Sequence, residues 1–204
     1  MALMMDERLI SACAEILLSP PCQQIDFKWR GQHITAHGYR TVVFAVMEGR
    51  IGTGIGHDLK PGEAAKYNYE LNYMLFHPTF DPKDPMHRMF VVHEATHAVQ
   101  DSALAGSRYG IENVEGAAYF ANALFSVYCP PHLQTPTTKL GTAGGVFQVA
   151  FKAALAYASH STGVVGEAAI KAIIDALLDD PRFLDEKRNV PFVDWDGFAD
   201  PVFP

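Results

Sequence analysis

Residues 93–97 read His-Glu-Ala-Thr-His. On a helix, positions i and i+4 lie one above the other on the same face, so His93 and His97 can aim both imidazoles at one metal ion. Glu94 projects from a neighbouring angle, where it can take a proton from a water on that metal. The spacing suits a helix-borne zinc site with a built-in general base. Two valines precede the motif, and Ala98 and Val99 follow it. Such apolar surroundings place the histidines at the base of a cleft and not on a solvated face. Asp84 suits the N-cap and Pro85 the first helical position, so the helix is expected to start there.

A catalytic zinc normally takes three protein ligands and leaves a fourth position for water. The third is expected downstream, in the alanine-rich segment Ile111 to Phe125, whose apolar spacing predicts a second helix after a break at Gly110. Two glutamates are available there. Glu112 falls in the first turn, where water reaches it and the helix dipole favours it. Glu115 lies a turn deeper, where a carboxylate is costly unless paired or coordinated. Glu115 is therefore the expected ligand and Glu112 the reserve. A histidine ligand usually hands its other ring N–H to an acceptor, and Asp101, one turn after His97, is a candidate.

His93-Glu94-Ala95-Thr96-His97 followed by Glu115-Gly116-Ala117-Ala118 resembles the gluzincin-type zinc metallopeptidases, of the peptidase MA-like kind. In that family a Glu-Gly-x-Ala segment on a second helix supplies the glutamate ligand. The resemblance spans residues 85–125 at most. It implies one zinc ion per chain on His93, His97 and Glu115, with Glu94 as general base. It also implies a small zincin-like domain that hydrolyses peptide bonds. An acidic residue often follows the glutamate ligand by one turn in the family; here that position is Tyr119, a departure from the pattern.

Hydrolysis of an amide would need a donor for the developing oxyanion besides the metal. Tyr109, Tyr119, Tyr128, Tyr157 and His160 are the downstream candidates; Tyr119 and His160 are singled out. Two other readings use the same residues. One is a binding or regulatory protein that keeps the zincin shell without turnover, against which the presence of Glu94 speaks. The other is a zinc hydrolase of small amides, as the deformylases are. In those, by resemblance, a cysteine is the third ligand, which the Glu115-Gly116 segment argues against.

These residues must be positioned by an α+β fold. A mixed or antiparallel sheet is expected in the N-terminal half and a mostly helical C-terminal half. Leu9 to Leu18 reads as a helix ending at Ser19-Pro20-Pro21. Ile25–Trp29, Ile34–His37 and Thr41–Val46 read as strands, and the Gly52, Gly54, Gly56 series as a turn-rich edge without the spacing of a phosphate-binding loop. From Tyr67 to Phe76 tyrosines and leucines alternate with other residues, a period of two that predicts one strand. By resemblance it lines the cleft and pairs with an extended peptide. Residues 132–145 read as a loop, Val146–Ser159 and Gly166–Leu178 as helices, and Arg182–Pro204 as an irregular tail. The 204 residues suit a single domain, with a candidate split at the cleft near residue 103.

Composition agrees. Charged residues make up 19 % and hydrophobic ones 49 %, which calls for a packed core. A net charge of −7 argues against nucleic acid or an anionic membrane as main partner; the resemblance implies a peptide or protein substrate. The stretch after the N-terminus is too interrupted for a signal-peptide core. Cys13, Cys22 and Cys129 are too scattered for a metal motif and read as reduced, buried thiols. The expected location is the cytoplasm, or outside the cell by a route without a cleavable signal.

Overall fold

A computed structural model of the chain describes residues 6–57, 59, 64–131, 144–160 and 163–197. The expected loop at 132–145 and the last residues of the tail lie largely outside these. The chain is an α+β protein. Helix α1 (Glu7–Leu17) starts at Asp6, whose carboxylate accepts from two amides of the first turn. Strands β1 (Asp26–Trp29) and β2 (Gln32–Thr35) form an antiparallel hairpin.

The segment 41–46, expected as a strand, lies in helix α2 (Ala36–Met47). Its β-branched run mimics a strand, but Thr35 caps the helix through Gly38 N, and burial follows helical spacing. Tyr39, Val42, Val43 and Val46 are buried, while Phe44 and Met47 are exposed. Tertiary burial thus overrides a weak local preference.

Strand β3 (Gly52–Ile55) does form an edge. Gly52 and Gly54 leave room for the Tyr73 ring, which would overlap any Cβ placed there. The expected strand 67–76 is two strands: β4 (Ala65–Asn68) and β5 (Tyr73–Phe76), an antiparallel pair. The chain reverses between them, with Asn72 at φ 48°; asparagine is among the few residues that adopt this left-handed conformation readily. β5 runs parallel to β3, so the sheet is mixed, with order β3-β5-β4 and β4 at an edge.

Helix α3 (Pro85–Ala103) begins where expected. Asp84 accepts from the amides of Met86 and His87, and Pro85 occupies the first turn. After the short strand β6 (Arg108–Gly110) comes α4 (Ile111–Tyr128), opened by Gly110. Then follow α5 (Gly144–Ser159) and α6 (Glu167–Leu178). The tail is not irregular. It forms α7 (Pro181–Asn189) and β7 (Phe192–Asp194), and β7 pairs antiparallel with β6.

One hydrophobic cluster runs from Leu9 to Trp195, with α3 and α4 at its centre. Burying that apolar surface is the main favourable term for the fold. Within it Phe120 meets Phe27 edge-to-face and Trp29 at a tilt, bringing β1 against α4. The three cysteines are buried and unbridged, as expected; burial pushes the Cys13 thiol up to about 12. No described helix is long and apolar enough to cross a membrane.

Candidate metal centre

From Val91 to Asp101 every residue of α3 is buried. A helix enclosed on all sides fixes the directions of its side chains, and His93 and His97 come out one above the other. Their ring centroids are 4.9 Å apart. Glu115 reaches them from α4. One carboxylate oxygen lies 3.2 Å from His93 Nε2 and the other 3.3 Å from His97 Nε2. The ligand atoms of all three residues fall within 4.8 Å of one another. Two imidazole nitrogens and a carboxylate oxygen are a donor set that suits zinc, and other first-row divalent ions as well. This buried group can therefore hold a metal ion.

Gly116 makes the approach of α4 possible. A Cβ there would sit 2.7 Å from Trp29 Cζ2, so the glycine lets the indole pack directly beside Glu115. The reserve candidate, Glu112, points elsewhere: it pairs with Lys187 Nζ on α7 at 3.2 Å.

Glu94 is buried beside the histidines, and its Oε2 accepts the backbone N–H of Tyr67 in β4 at 2.7 Å. Burial raises the Glu94 pKa, against the opposing pull of His93, His97 and the Tyr67 amide. Desolvation would lower the pKa of His97, but the Glu115 carboxylate and its hydrogen bond outweigh it and hold the group up at about 9. Burial pulls Glu115 upward in turn, yet His97 and His93 keep it well below the usual carboxylate range.

The other expectations divide. Tyr119 lines the cleft and sets its ring edge-on to His93, centroids 4.9 Å apart; burial raises its phenol pKa. His160 is exposed just past α5 and does not line the cleft. Tyr109 and Tyr128 do not line it either, and the Tyr157 hydroxyl donates to the Asp26 carbonyl. Asp101 is not the acceptor for His97. It accepts from the Tyr67 hydroxyl at 2.8 Å and from Gly197 N at 3.0 Å. The His97 partner is Gln100 Oε1, 3.0 Å from Nδ1. Positions i+3 and i+4 are both neighbours on a helix face, so sequence spacing alone does not choose between residues 100 and 101.

The cleft encloses about 400 Å³, within the usual range for ligand sites. β4 forms one side, and Ile111, Val114 and Tyr119 of α4 contribute to its base. A further wall comes from the tail: Glu186, Val190, Val193 and Trp195. Sequence reading missed this wall, although Asp180-Pro181 repeats the cap signal of Asp84-Pro85; Asp180 accepts from Arg182 N. Comparison with family models, with curated proteins and with solved structures finds no match.

Proposed function

We propose that this chain is a zinc-dependent peptide hydrolase of the gluzincin type, with His93, His97 and Glu115 as metal ligands. The observation that carries the reading is the placement of Glu94. Its carboxylate is buried next to the ligand trio, with one oxygen tethered to β4. A buried carboxylate is costly to keep unless it serves a purpose, and a protein that only bound metal would have no chemical use for it. A zinc ion held there would supply an acidified water and a positive charge beside a substrate carbonyl.

Beside such an ion Glu94 would be placed to take a proton from the attacking water and pass it to the leaving amine; burial raises its pKa above the usual carboxylate value. The Tyr67 N–H bond ties one oxygen of the Glu94 carboxylate to β4. Tyr119 lines the cleft with its ring edge-on to His93, and its phenol would serve as a donor to the developing oxyanion.

The substrate side is an edge strand. Since Tyr67 N donates to Glu94, its backbone turns away from β5. By antiparallel alternation Ala65 and Tyr67 face outward, and Lys66 and Asn68 face the sheet. An extended peptide can pair along that outward edge through groups other than the Tyr67 N–H, which Glu94 holds. The pairing belongs to β4 alone; Asn72 sits in the hairpin and contributes nothing to it.

The test is Glu94→Gln. Metal content and melting temperature are expected to stay near those of the parent. Peptide cleavage is expected to fall by roughly 10²–10⁴, the usual worth of a general base. A variant that cleaves as fast as the parent contradicts the mechanism. A parent that binds zinc but cleaves nothing in a broad peptide library favours a zincin-like binding protein instead.

A further inference from the structure

Gln100 has no exposed surface, and its amide meets three partners. Nε2 lies 3.2 Å from the Val114 carbonyl and 2.6 Å from Gln32 Oε1; Oε1 lies 3.0 Å from His97 Nδ1. A backbone carbonyl can only accept, so the NH₂ end of Gln100 must face Val114. Its oxygen then faces the imidazole, and an oxygen in that place requires a proton on Nδ1. The nitrogen left to offer a lone pair is Nε2, the one 3.3 Å from Glu115. Val114 directly precedes Glu115, so the same amide also pins the turn of α4 that carries the carboxylate.

We propose that Gln100 is a positioning residue that fixes His97 in its Nδ1–H tautomer and clamps the Glu115 turn of α4, setting two of the three candidate metal ligands through one buried amide. The proposal rests on the metal-centre reading above. A carboxylate at position 100 would serve His97 equally well. Its second oxygen would then face Val114 O, which cannot donate, beside the buried Gln32 side chain. The neighbours therefore call for an amide. An amide also adds no negative charge behind His97, so an ion held there would keep more of its positive charge. Asp101, the adjacent acid, is committed to Tyr67 and Gly197.

The experiment has two readouts. The first is zinc affinity, by competition with a chromophoric chelator, for the parent, Gln100→Leu and Gln100→Glu. The leucine variant is expected to lose about 10–100-fold, the usual effect of removing a partner behind a metal ligand. The glutamate variant, which keeps the acceptor and loses the donor, is expected to fall between it and the parent. The second is the His97 tautomer, by ¹⁵N NMR of metal-free Glu115→Ala in alkaline buffer, where the ring is neutral and no Glu115 carboxylate faces Nε2. The expected signal is a protonated Nδ1. A folded Gln100→Leu protein with parental zinc affinity overturns the proposal, and so does an Nε2–H signal in Glu115→Ala. The tautomer needs no bound ion. A parent that takes up no zinc would thus defeat the metal-centre reading, while the NMR signal still decides the role of Gln100.

Discussion

Along α3 eleven consecutive residues, Val91 to Asp101, are buried, whereas α7, which bounds the same cleft, buries only Phe183. Apart from its cleft face the floor is packed into the core, and it carries His93, Glu94, His97 and Glu115. The tail wall is held by β6–β7 pairing, by the Lys187–Glu112 ion pair and by the clasp of Asp101 and Asn72 on Gly197. Segments with few buried apolar contacts open at lower free energy than core helices. The contrast sets a rigid floor beside a wall that opens more easily.

The largest difference between the two regions is expected in their response to pH. The floor of the metal-free protein holds a buried ion pair. His97 has its pKa raised from 6.5 to about 9, so its contribution is complete below pH 6.5 and disappears as pH rises through about 9. Glu115 is held down, so its contribution is present above the ordinary carboxylate pKa and is lost as pH falls through its lowered value. The interaction is shared and counts once. Metal-free protein is expected to lose a few kcal/mol between pH 6.5 and 9, since each tenfold change in proton affinity is worth about 1.4 kcal/mol. With zinc bound, the ligands no longer depend on that proton and the loss should vanish. Near neutral pH zinc binding should release about one proton per chain, measurable by calorimetry in buffers of different ionisation enthalpy. Equal alkaline losses with and without metal would mean that the floor is not built on this pair.

A smaller effect tests packing in the floor. Gly116→Ala pushes a methyl group against Trp29 and is expected to cost about 1–3 kcal/mol, as overpacking a tight core does. Denaturant unfolding reads it. A neutral result would show that α4 can retreat from β1, so that Glu115 is not rigidly held.

The smallest effect belongs to the wall. Lys187→Ala removes a partly exposed ion pair worth about 0–1 kcal/mol. Global stability and metal content should barely move, while hydrogen exchange in α7 should speed up relative to α3. Protection in α7 equal to that of α3 would erase the distinction between floor and wall.

The same contrast explains what could be read from the chain. The floor was legible because its signals are local. Asp84-Pro85 marks the start of α3, the i, i+4 spacing aligns the histidines, and depth within α4 separates Glu115 from Glu112. The wall and the sheet depend on long-range pairing. The tyrosine alternation continues past Asn68 although the strand does not, because the reversal at Asn72 lies within the same period. The β-branched run of α2 looks like a strand until its burial against α3 is known. β7 has no strand signal of its own and exists by pairing with β6. Gln100 was overlooked for Asp101 because the choice depends on where Tyr67 and Gly197 lie, and neither is near in sequence.

The central claim is that His93, His97 and Glu115 hold one divalent ion, and elemental analysis of protein purified without added metal tests it most directly. The expected result is one zinc per chain in the parent and in Glu112→Ala, with loss of the metal in Glu115→Ala. A parent that stays metal-free in the presence of zinc would contradict the account, as would full occupancy in Glu115→Ala alongside loss in Glu112→Ala.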